Sequence, residues 1–97
     1  MSSQTNILEK TIEEDNRKYA KARGVLFEKF TSPSRRSVPD RIATFPNGHI
    51  VFIEYKAFGK QPTEKQLRDH KKRRELGARV YVIDNIEDGR KLIDELL

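Results

Sequence analysis

The sequence predicts an α/β (α+β) fold, a mixed sheet flanked by helices, in the order α-β-β-β-α-β-α. Three observations predict it. Stretches with helical spacing of apolar residues open and close the chain, short apolar runs of strand length lie between them, and two of those runs are joined by hairpin chemistry. At 97 residues and 35% hydrophobic content, the expectation is a single domain over residues 1–97 with one core.

Each element has a local reason. Over about residues 4–23, Leu8, Ile12, Tyr19 and Ala22 recur near helical spacing, and Gly24 supplies the stop. Residues 25–30 read as a short strand, and residues 31–37 as a polar loop holding Pro33, Arg35 and Arg36. Residues 41–45 and 49–56 are strands around a turn. In the second of these, Ile50 and Phe52 point one way and Val51, Ile53 and Tyr55 the other. A strand apolar on both faces belongs in the middle of a sheet. After a loop with Gly59 and Pro62, Thr63 opens a helix to about Leu76, which Gly77 ends. Residues 79–83 form an apolar strand, and residues 86–97 a last helix whose apolar side carries Ile86, Leu92, Ile93, Leu96 and Leu97.

Composition narrows the function classes. There are no cysteines, which excludes disulfides and thiolate metal sites. No apolar run approaches the roughly 20 residues that span a bilayer, and residues 1–6 lack the layout of a signal peptide. The expectation is an intracellular, cytoplasmic protein with no membrane partner. Lys and Arg number 20 against 15 Asp and Glu, a formal charge of +5 that favours an anionic partner, nucleic acid first.

The turn Phe45-Pro46-Asn47-Gly48-His49 carries the functional argument. A two-residue Asn-Gly loop would pair Pro46 with His49, and Pro46 has no N–H to give. A three-residue loop suits every residue, with Pro46 and Asn47 at the centre of a type I turn and Gly48 at the left-handed bulge position. Phe45 then faces His49, Thr44 faces Ile50, Ile42 faces Phe52, and Asp40 faces Glu54. Opposed side chains have Cβ atoms about 4.5–5.5 Å apart. Two carboxylates at that distance repel, and a sheet has no structural use for the pair. Hard oxygen ligands this close suit Mg2+ or Mn2+. Lys56, two residues past Glu54 on the same face, reaches toward a phosphate. A carboxylate pair with an adjacent ammonium is equipment for phosphodiester hydrolysis.

Pro39-Asp40 followed by Glu54-Tyr55-Lys56 resembles the PD-(D/E)XK signature of restriction-endonuclease-like cores. Its surroundings resemble the VRR-NUC domain over nearly the whole chain: Lys29-Phe30, the run from Arg35 to Arg41, Phe52 to Lys56, Gly59-Lys60, Gln66 and Gly77. The standalone form found in bacteriophages and bacteria is the nearest in size. This resemblance implies a Mg2+- or Mn2+-dependent endonuclease acting on structured DNA, with Holliday junction resolution by a homodimer as the leading activity. It implies no small-molecule cofactor. It places the metal carboxylates on Asp40 and Glu54 and the catalytic Lys on Lys56. The first-helix Glu falls on Glu13, with Glu9 one turn earlier as the competitor, and the second-helix Gln falls on Gln66. The backbone carbonyl of Tyr55 completes the expected metal donors. Tyr55 stands where an aliphatic residue is usual, and Ser37 where a Gly is commoner.

Other readings stay open at this level. Thr63-Glu64-Lys65-Gln66 is a capping box, so Gln66 has a structural rival role that coexists with a site role only if the helix start lies against the site. The basic run Lys65, Arg68, Lys71, Lys72, Arg73 and Arg74 is either a solvated face or a phosphate contact. Arg35, Arg36, Arg41, Lys60 and Lys65 are the candidate DNA-binding residues, and His49 and His70 read as surface residues. Two functional alternatives remain: a non-catalytic nucleic-acid-binding module on a nuclease fold, and a restriction or nicking endonuclease.

Overall fold

A computed structural model describes residues 8–97. Its elements are α1 (Glu9–Ala22), β1 (Leu26–Lys29), β2 (Arg41–Thr44), β3 (Ile50–Tyr55), α2 (Glu64–Glu75), β4 (Val80–Ile83) and α3 (Ile86–Leu96). This is the order expected from the sequence. Residues 4–7, where the first helix was expected to begin, lie outside the described residues. The sheet runs β1-β2-β3-β4, antiparallel across the first two pairs and parallel between β3 and β4. The parallel pair needs a crossover, which α2 supplies. β3 is central, as its two-sided apolar pattern required. Among the described residues no helix is long and apolar enough to cross a membrane.

The hairpin bend is the three-residue form. The Phe45 N–H donates to His49 O at 2.8 Å, the Gly48 N–H donates to Phe45 O at 2.9 Å, and Gly48 sits at φ +89°. Asn47 Oδ1 accepts from the His49 N–H at 3.0 Å and stiffens the bend. Thr44 therefore pairs with Ile50, Ile42 with Phe52, and Arg41 with Ile53.

The two faces of the sheet differ in chemistry. Odd positions of β3 join Ile12, Ala20, Phe27, Ala43, Ile83 and Ile93 in the apolar core beneath α1 and α3. Even positions face α2, whose inward side is polar: Asp69 and His70 are buried, while Leu67 is exposed. Arg73 closes that layer, its guanidinium 5.1 Å from the Phe30 ring centre and 5.0 Å from that of Phe52.

Within the core, Asn16 is fully buried and ties three elements together. Its amide donates to Ile86 O at 3.3 Å and its Oδ1 accepts from the Tyr55 hydroxyl at 2.9 Å. A buried phenol needs a partner, and Asn16 provides it for Tyr55. α3 approaches Asn16 at Gly89, where an added Cβ would lie 1.6 Å from Asn16 Oδ1. Gly89→Ala gains helix propensity but overpacks this junction. It is expected to lower stability by about 1–3 kcal/mol in urea titrations. A variant as stable as the native chain would show that Asn16 does not hold the helices.

Candidate active site

The ladder between β2 and β3 stops at the candidate site. Alternation from the Phe45/His49 pair makes Pro39 the hydrogen-bonding partner of Tyr55, and Pro39 has no N–H to offer the Tyr55 carbonyl. The Tyr55 N–H turns instead to Asp40 Oδ2, at 2.7 Å. Asp40 keeps its place in the sheet through its own carbonyl, which accepts from the Phe30 N–H at 2.9 Å. Continuing the register sets Asp40 beside Glu54, and the charge of Asp40 raises the Glu54 pKa.

Glu54 is 1% exposed. Its Oε2 accepts from Gln66 Nε2 at 3.1 Å and lies 3.8 Å from Lys56 Nζ. Its Oε1 has no hydrogen-bond partner among the described residues. Gln66 caps its helix as expected and also reaches Glu54. Its Oε1 accepts from the Thr63 N–H at 2.9 Å while Thr63 Oγ1 accepts from the Gln66 N–H at 3.2 Å. The cap occupies the amide oxygen, so the amide nitrogen must face Glu54. The helix start does lie against the site.

No profile of a known protein family matches the chain. A phage protein named "Putative nuclease p44", from Acyrthosiphon pisum secondary endosymbiont phage 1, is 50% identical over 62 residues, covering 64% of this chain and 67% of that protein. A solved structure described as a VRR_NUC domain superposes with a TM-score of 0.83 at 30% identity, covering 92% of this chain and 97% of the other. The chain belongs to the VRR-NUC family. Fold and sequence kinship make it a nuclease.

In this VRR-NUC domain the first-helix carboxylates part company. Glu13 is bound to Arg41, Oε2 to Nε at 2.6 Å. Glu9, one turn nearer the helix start, is exposed, and burial and the charge of Asp40 raise its pKa while Lys56 lowers it. The charge of Glu9 is felt in turn at Glu54. Glu13, favoured by the sequence reading, is thus engaged elsewhere, although its charge still reaches Asp40.

The basic residues also sort themselves. Arg35, Arg36, Lys65, Arg68, Lys71 and Lys72 line an open groove of about 630 Å³ between the loop after β1 and α2. Buried Asp69 secures this groove, holding Arg35 Nη2 at 2.7 Å and Arg73 Nε at 2.7 Å. Lys60 is exposed in the loop after β3 and does not line the groove. Arg41 corrects an expectation: it is 5% exposed, paired with Glu13 and donating to Phe27 O at 3.3 Å, and is closed to a ligand. Arg73 and Arg74 leave the basic face too, Arg73 for Asp69 and the aromatic layer, Arg74 for Val80 O.

His70 is the second correction. It is fully buried rather than on the surface, with Nε2 3.6 Å from Glu54 Oε1, while His49 is exposed as expected. Desolvation, then the charge of Arg74, lowers its pKa. A signal for it existed: Gln66, Asp69, His70 and Arg73 follow helical spacing on one face. A search for apolar periodicity passes over it because the residues are polar.

Among the described residues no group of three or more His, Asp or Glu side chains gathers closely enough to hold a metal ion alone. Mg2+ commonly takes one or two carboxylates and fills its shell with water and substrate phosphate oxygens. Asp40 beside Glu54, with a buried carboxylate oxygen still unpartnered, fits that donor set.

The same crowding has a consequence without metal. Burial first, then the charge of Asp40, pushes the Glu54 carboxyl from 4.5 up to about 8. The folded chain then holds a proton that the unfolded chain releases, so stability falls as pH rises across that window. Melts in EDTA are expected to show Tm falling between about pH 5 and about pH 8, with Glu54→Gln flattening the fall. The variant separates Glu54 from His70, whose lowered pKa acts in the opposite sense below about pH 6.5. A difference between variant and native that does not change with pH would contradict the raised pKa of buried Glu54.

Proposed function

We propose that this nuclease is a Mg2+- or Mn2+-dependent DNA endonuclease selective for branched structures, with four-way junctions as the leading substrate. The observation that carries the reading is the Asp40–Glu54 pair with Lys56 on the same face of β3. Asp40, Glu54 and the Tyr55 carbonyl are the donors that would hold the ion. When bound, the ion supplies positive charge to the scissile phosphoryl group and lowers the pKa of water.

The chain's own groups do the rest. The Lys56 ammonium neutralises charge growing on the non-bridging phosphate oxygens. Gln66 fixes the rotation of the Glu54 carboxylate. Glu9, exposed and within electrostatic reach of Asp40 and Glu54, would be the first-helix carboxylate that accepts a proton from attacking water. The groove beside α2 supplies a track for the phosphate backbone that leads from the helix start, where Gln66 meets Glu54. Among the described residues no element resembles a base-reading helix, so selectivity would rest on DNA shape. Paired cuts across a junction need two sites, which a two-fold homodimer provides.

A four-way junction assayed beside plain duplex, with and without Mg2+, tests the reading. The expected result is paired Mg2+-dependent cuts in the junction, abolished in Asp40→Asn and Glu54→Gln with binding retained. Lys56→Ala should lose about 10²–10³ in rate, the scale of one electrostatic donor. Cleavage at the native rate by Asp40→Asn would overturn the assignment. Binding without cutting would point to a non-catalytic module, and sequence-specific duplex cutting to a restriction or nicking activity.

For the groove, Arg36→Ala, Arg68→Ala and Lys72→Ala combined should weaken binding on all sequences. The slope of log affinity against log salt should become shallower by about one per lost phosphate contact. An unchanged slope would remove the groove from the DNA path.

A further inference from the structure

Three polar atoms near the site are buried and lack hydrogen-bond partners among the described residues: Glu54 Oε1, His70 Nδ1 and His70 Nε2. Unpartnered buried polar atoms are uncommon in native folds and call for a reason. Two of these face each other, Nε2 to Oε1, at 3.6 Å. That is beyond a hydrogen bond, and a closure of about half an ångström would bring it into the ordinary N–H···O range. We infer that His70 is a positioning residue for Glu54, its Nε2–H holding Oε1 in the orientation in which that carboxylate meets the divalent ion.

The geometry around Glu54 supports this. Gln66 and His70 are four residues apart on α2, so both project toward β3 from the same helix face. Gln66 Nε2 already grips one oxygen, Oε2, at 3.1 Å. A donor on the other oxygen fixes the carboxylate plane and leaves the remaining lone pairs toward Asp40. The neutral imidazole has one N–H, and placing it on Nε2 leaves Nδ1 as an acceptor. His70 is fully buried, so substrate does not touch it and its influence on the reaction passes through Glu54. Carboxylates that bind metals are typically held this way, and losing such a partner costs about 10–100-fold in metal affinity or activity.

The inference rests on the metal-dependent reading, and Mn2+ titrated alone by calorimetry tests the two separately. His70→Leu, which removes the donor, should bind Mn2+ about 10–100-fold more weakly than the native chain. His70→Gln, whose amide N–H falls near the place of imidazole Nε2, should restore most of that affinity. Excess Mn2+ should bring cleavage by His70→Leu back toward the native rate, which a packing defect would not allow. If His70→Leu fails to fold by circular dichroism, His70→Met is read in the same way. Native-like affinity in the apolar variant, equal loss in Leu and Gln variants, or a rate that excess Mn2+ does not recover would each overturn the inference alone. A native chain that does not bind Mn2+ would overturn the metal reading and the inference together.

Discussion

A carboxylate with 1% of its surface exposed occupies the C-terminal end of the central strand β3, where a sheet ordinarily carries an aliphatic side chain. Removing Glu54 from water opposes its charge, and the neighbouring Asp40 opposes it again. The surrounding residues offset this. Gln66 donates to one oxygen, Lys56 brings an ammonium near it, and His70 stands against the other. A cluster so unfavourable to the bare fold makes sense as a site whose complement is a cation. On the proposed function, the local violation of packing rules and the chemistry of this VRR-NUC nuclease are one feature.

That cluster depends on a register, and the register depends on two prolines and a glycine. Pro46 and Gly48 require the three-residue bend, which brings Asp40 opposite Glu54. A slip of one residue would turn every side chain of one strand to the other face. Pro39 then ends the ladder by lacking an N–H, and the Tyr55 N–H binds the Asp40 carboxylate instead of a strand partner. The bend lies far along the hairpin from the carboxylates, yet it determines their separation because strand pairing is rigid between the two.

α2 works on both of its sides. Its inward face is polar, with Gln66 and His70 against Glu54 and Asp69 clamping Arg35 and Arg73. Its outward face is cationic and forms one wall of the groove. The Asp69 clamp also joins α2 to the loop that leads into Pro39-Asp40. Groove and carboxylate pair are therefore held by one helix, so a backbone lying in the groove would be placed relative to the cleavage chemistry without a separate element.

The sequence by itself determined the order of elements, the central place of β3, the hairpin register and the meeting of Asp40, Glu54 and Lys56. These follow from strand periodicity and from turn residues whose backbone limits are strict, and both act over a few neighbouring positions. Gln66 was legible as well, because its cap fixes where the helix begins. Tertiary structure decided the rest. Whether Glu13 or Glu9 stands open, and whether Arg41 reaches solvent, depends on how α1 rotates against a sheet assembled from distant segments. The burial of Asp69 and His70 escaped prediction because α2 packs through a polar face. Hydrophobic periodicity marks where water is excluded by oil-like side chains, and it is silent where hydrogen bonds and ion pairs make the same exclusion possible.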